Sequence, residues 1–209
     1  MSSRPIGTEE ELPRTHTINH PINPLLAKRF TGRAFDESRP VEPGKMLILL
    51  EAARWAPSSF NEQPWRYLVF DGSDQDLLER ARRCLNEGNG WARKAPVLML
   101  SVASRYRSGK VNPHAEHDVG LASENLVIQA VELGLIAPQI AGFDVARARS
   151  EFSIPDEFTP MAMIAIGYPF EGSLDSLPDN LRIKLQQPRI RKLIPEFVFS
   201  GMWNTPFQE

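Results

Sequence analysis

The sequence predicts one domain, residues 1–209, built of mixed α and β layers. Three observations point there. Two long stretches, residues 43–56 and 115–133, repeat apolar residues at helical spacing. The runs "WRYLVF", "APVLMLSVA" and "MAMIAIGYP" read as strands, the last two apolar on both faces and therefore interior. Helical and strand segments alternate, and 209 residues that are 42% apolar suffice for one substantial core.

Residues 1–24 are polar, with prolines at 5, 13, 21 and 24, and predict an extended or poorly ordered arm. In the helix over 43–56, Met46, Leu50 and Ala53 form the apolar stripe and Leu47 and Leu49 widen it. Pro43 suits its first turn, and Pro57 ends it by forcing the preceding residue towards extended geometry. "WRYLVF" follows as a strand, "DQDLLERARRCL" as a helix and "APVLMLSVA" as a second strand. Over 115–133 the stripe is Val119, Ala122, Leu126, Ala130 and Leu133, extended by Val127, Ile128 and Val131, which suits a helix buried in the core or shared between subunits. Gly134 is placed to cap it, "LIAPQIAGF" returns as a short extended segment, and Asp144 can N-cap a helix to about residue 152. After the strand "MAMIAIGYP" the rhythm is lost, through a C-terminal extension over 170–209, until the strand-like "EFVFSGMW".

A formal net charge of −2 gives no general signal for nucleic acid or a membrane surface. Cys84 is the single cysteine, so no internal disulfide can form, and a soluble, cytoplasmic protein is expected. The start lacks the apolar core of a signal peptide, and no run approaches the ~20 apolar residues of a membrane helix. No phosphate loop is present, and "GNG" at 88–90 lacks the third glycine and preceding strand of a dinucleotide fingerprint. His114 and His117 in "HAEHD" lack the spacing of a zinc motif and fit a solvated helix start better. No serine stands in a GxSxG elbow. What remains is local positive charge at both chain ends. In "KRFTGRAF", Arg29 and Arg33 flank Thr31, a plausible grip on a phosphate; in "RIKLQQPRIRKLIP", Arg182, Lys184, Arg189, Arg191 and Lys192 occur without an intervening acid.

The segments "RFTGRAFD", "EAARWAPSSFNEQPWRY", "GLIAPQIAGFD", "IAIGYP" and "PRIRKLIPEFVF", in this order, resemble the nitroreductase family of FMN-dependent oxidoreductases. The Pro-Ser-Ser-x-Asn-x-Gln-Pro-Trp run is the most specific part. The resemblance implies an α+β fold, a three-layer α-β-α sandwich with a mixed, mainly antiparallel sheet. It also implies a homodimer with FMN between the subunits and a C-terminal arm added to the partner's sheet. It places Arg29, Phe30, Thr31, Arg33, Arg189 and Arg191 around the flavin phosphate, with Thr31 where relatives often have serine. It lays Pro57, Ser58, Ser59 and Asn61 against the ring from the other subunit, and passes Gln139, Ile140, Ala141 and Gly142 beside it, where glycine permits close approach. Asn89, with Asn86 as the competing position, corresponds to a contact on the pyrimidine side. The implied activity is ping-pong hydride transfer from NADH or NADPH to a small electron-poor acceptor, a nitroaromatic or quinone, with no catalytic side chain. The alternatives are a flavin-fragmenting or dehalogenating relative, or a non-enzymatic flavin carrier.

Overall fold

The computed structural model describes residues 18–107 and 109–207, so most of the expected N-terminal arm, residues 1–17, lies outside them. The described strands are β1 (Trp65–Phe70), β2 (Val97–Ser104), β3 (Tyr106–Arg107), β4 (Lys110–Val111), β5 (Gln139–Ile140) and β6 (Phe158–Ile166). A central sheet runs β1-β2-β6-β5 with each neighbour antiparallel, and β3 pairs with β4 as a separate hairpin. The helices are α1 (Pro24–Lys28), α2 (Pro43–Arg54), α3 (Gln75–Cys84), α4 (Ala115–Glu132), α5 (Val145–Glu151) and α6 (Asp179–Gln186).

Alternation along the interior strands builds a core on each face of the sheet. Leu98, Leu100 and Val102 of β2, with Met163 and Ala165 of β6, pack against α3 and α5. Val97, Met99 and Ala103, with Ile164 and Ile166, pack against α2 and α4. The result is the expected three-layer α+β sandwich. Where the β2–β6 register slips, buried Ser101 donates its hydroxyl to Ala162 O and accepts from Ala162 N, each at 3.1 Å, so the polar group is satisfied inside the sheet.

The helix boundaries follow from their caps. Asn23, Asp74 and Asp144 accept the N–H groups of Leu25, Leu77 and Arg147 at 2.9, 3.0 and 2.8 Å, opening α1, α3 and α5. Gly134, at φ +72°, turns the chain after α4. One expected core position differs: Leu47 is 69% exposed, while Leu49 and Met46 are buried, because α2 presents only the Met46–Leu49–Ala53 side to α4 and the sheet. "EFVFSGMW" forms no regular strand within the chain. A 3-10 turn, Ile194–Glu196, precedes a tight loop closed by an isolated Phe199–Pro206 bridge. Among the described residues no helix is long and apolar enough to cross a membrane.

Candidate functional site

The two basic segments, distant in sequence, meet at a cavity of about 390 Å³. Arg29, Thr31 and Arg33 line one side; Lys184, Gln187, Pro188, Arg189 and Arg191 line the other. Three local arrangements bring them together. Residues 34–36 run beside 168–170, with Asp36 N donating to Tyr168 O and Phe170 N to Ala34 O, so the stretch that follows β6 fixes the first segment. Gly32 lies where a Cβ would come within 2.6 Å of Ile136 Cδ1, a closeness only glycine allows without repacking. The Arg189 guanidinium donates to the carbonyls of Ala27 and Arg29, pinning the far end of the chain to the exit of α1. Phe30 does not line this cavity and packs half-buried against the α3–α5 core.

Four guanidinium groups and one ammonium thus line one cavity, and among the described residues no acid lines it. Gathering like charges is unfavourable unless an anion fills the space between them. A carboxylate stands nearby: Glu124 Oε1 is 3.9 Å from Arg29 Nε, a contact that aims Arg29 without closing the cavity. The Arg33 guanidinium lies 5.7 Å from the centroid of Trp91, whose ring stacks on Phe35. The indole Nε1 of Trp91 is buried without an acceptor among the described residues. Among the described residues the fourth expected arginine, Arg191, donates to the adjacent Ile190 carbonyl alone, at 2.9 Å.

A second cluster adjoins the first through Trp91. Asn89 stands two residues before Trp91 in the 3-10 segment Glu87–Lys94, and its Nδ2 donates to Gly142 O at 2.8 Å. Asn86 reaches the same carbonyl through its backbone N–H, at 3.2 Å. A Cβ at Gly142 would fall 2.4 Å from Asn89 Nδ2, so glycine is what allows the two segments to meet. Gln139 and Ile140 form the edge strand β5, and Ala141 leads from it, exposed, into this contact.

The third group, Pro57, Ser58, Ser59 and Asn61, does not line the basic cavity. Its loop leans on the start of α4: Ser59 N donates to Asp118 Oδ2 at 3.0 Å. Within the loop Gln63 N donates to Ser58 Oγ at 3.0 Å, and Arg107 of β3 holds Glu62 at 2.8 Å. Phe60, Asn61 and Gln63 all have positive φ, at 53°, 57° and 50°, a left-handed backbone that is uncommon for residues with side chains. The chain therefore carries two adjoining clusters and a separately anchored loop.

The model of the nitroreductase family matches residues 26–168. The chain belongs to the nitroreductase family. A solved structure of an oxidoreductase containing FMN superposes with a TM-score of 0.83 and 31% identity, over 90% of this chain and 96% of that one. An FMN-dependent nitroreductase from Clostridium difficile R20291 superposes with a TM-score of 0.62 and 27% identity, over 71% of this nitroreductase-family chain and 88% of the other. An uncharacterized 15.4 kDa protein of Mycolicibacterium smegmatis is 34% identical, covering 65% of this chain and 90% of its own length.

The family match ends at Tyr168, yet Lys184, Gln187, Pro188, Arg189 and Arg191 line the cavity from beyond it. Lys184, Gln187 and Pro188 were not among the expected site residues. For Lys184 the signal is present in the acid-free run "RIKLQQPRIRK", but its placement depends on α6, which the sequence pattern does not show. His114 precedes α4 without a side-chain capping bond, and His117 is a largely exposed neighbour of Asp118, in keeping with a solvated helix start.

Proposed function

We propose that this chain is an FMN-dependent oxidoreductase that passes hydride from NADH or NADPH to an electron-poor nitroaromatic or quinone in a ping-pong cycle, working as a homodimer. The observation that carries the reading is the basic cavity, lined by four arginines and a lysine, assembled from two segments far apart in the chain. A flavin mononucleotide ends in a phosphate of up to two negative charges, and guanidinium groups bind phosphate through forked, charge-assisted hydrogen bonds. The residues present fit that group: Arg29, Arg33, Lys184 and Arg191 supply charge and Thr31 a hydroxyl. Gly142 and Asn89 would lie beside the ring, and Ser58, Ser59 and Asn61 would cover it from the partner subunit.

When bound, the flavin would supply the hydride-transfer chemistry between nicotinamide and acceptor. The protein's share is to bind, orient and exclude water, and no side chain is required as acid, base or nucleophile. Because donor and acceptor use the same place in turn, they should compete for it.

The test is to load the purified protein with FMN, desalt it, and titrate it anaerobically with NADH and NADPH before adding a nitroaromatic or quinone. A yellow protein that bleaches with nicotinamide and regains colour with acceptor supports the proposal. A protein that comes off the column colourless contradicts flavin binding, and one that stays yellow with both nicotinamides is a carrier rather than a reductase. Steady-state rates at several donor concentrations should give parallel reciprocal lines; intersecting lines would rule out alternating occupancy.

A further inference from the structure

Asp118 is 3% exposed, and nothing in the proposed reaction uses its carboxylate. A buried carboxylate is costly unless hydrogen bonds compensate it. Its partners are few and specific: Ser59 N at 3.0 Å on Oδ2, His117 Nδ1 at 3.3 Å on Oδ1, and a position in the first turn of α4, where the helix dipole favours negative charge. The loop it meets is strained. Phe60, Asn61 and Gln63 occupy the left-handed region, which residues such as Phe and Gln enter only at a cost in backbone energy. Such a backbone persists only when its surroundings fix it. Ser59, immediately before these residues, is the point at which the helical layer takes hold of the loop.

We infer that Asp118 is a positioning residue: by holding Ser59 N–H it fixes the strained 57–63 loop in the shape that receives the flavin ring. The inference rests on the proposed flavin binding, but the anchor exists in the chain without a ligand, so the two fail separately. Asp118 acts on the ring side and not on the phosphate cavity, which it does not line. Its removal should therefore weaken FMN and riboflavin by the same factor.

The experiment compares wild type, Asp118→Ala and Asp118→Asn. Amide hydrogen exchange at Ser59 is measured in flavin-free protein, and affinities are measured for FMN and riboflavin. Asp118→Ala should speed Ser59 exchange by about tenfold or more, the scale of one lost buried hydrogen bond to a charged group. It should weaken both flavins equally, and Asp118→Asn, which keeps an acceptor oxygen, should restore both readouts. Unchanged Ser59 exchange in Asp118→Ala, or a loss confined to FMN, would overturn the inference. If the alanine variant does not fold by circular dichroism, Asp118→Leu, which fills the space without an acceptor, carries the same comparison. If wild type retains neither flavin, the proposed function fails while the exchange rates still decide whether Asp118 holds the loop.

Discussion

Arg189 and Arg191 stand two positions apart and do different work. Arg189 spends its guanidinium on the carbonyls of Ala27 and Arg29, so its loss should disturb how the chain ends meet. Arg191 lines the cavity and, among the described residues, bonds only its neighbour's carbonyl, which leaves its charge available for an anion. Arg191→Ala should therefore cost FMN about 1.5–3 kcal/mol of binding and riboflavin much less, as read by titration calorimetry. Equal losses would show that the cavity does not hold the phosphate. Cys84 offers an independent check on the α3–α5 core. Burial pushes its thiol up to about 11, from an ordinary value of 9.0, so the folded state keeps its proton where the unfolded chain loses it. Stability should fall as pH rises from 9 towards 11, and thiol labelling near pH 8 should track unfolding; rapid labelling of the native protein would contradict this. The arginines were legible because charge runs without acids are visible in sequence. The Asp118–Ser59 bond was not, since it joins a loop to a helix 59 positions away.

Among the elements, those with an apolar pattern were readable and those without one were not. The strands β1, β2 and β6 and the helices α2 to α5 fall within a few residues of the segments their periodicity marks. By contrast α6, "DNLRIKLQ", spaces Leu181, Ile183 and Leu185 by two, and only Leu181 is buried, so no helical stripe betrays it. The five-residue α1 buries nothing and is set by its Asn23 cap and Pro24 instead. Leu47 shows the limit of the stripe itself: an apolar residue on a helix need not face its own core. Tight crossings between elements are equally hidden in sequence. At Gly167, which pairs with Ile136 at the end of β6, an added Cβ would meet Pro96 Cδ at 2.7 Å and Phe35 Cδ1 at 2.9 Å. Both contacts belong to packed groups with little room to retreat. Gly167→Ala should lower unfolding stability by about 1–3 kcal/mol, seen as a lower urea midpoint. An unchanged midpoint would show that this corner is loosely packed.

At the scale of the whole molecule, one chain assembles the basic cavity and the Asn89–Gly142 contact but keeps the 57–61 loop anchored apart from that cavity. Its surface also leaves Leu47, Ile48 and Trp55 of the α2 region exposed, and Phe197, Met202 and Trp203 of the C-terminal arm with them. In the proposed homodimer a second copy would cover such apolar groups while bringing its loop to a ring held by the first. The decisive measurement is analytical ultracentrifugation of the FMN-loaded protein, followed at both the protein and the flavin absorbance. Flavin should sediment only with a two-chain particle, at one FMN per chain, and should be released as dilution separates the subunits. A single-chain particle that remains fully loaded would contradict a ring site shared between subunits.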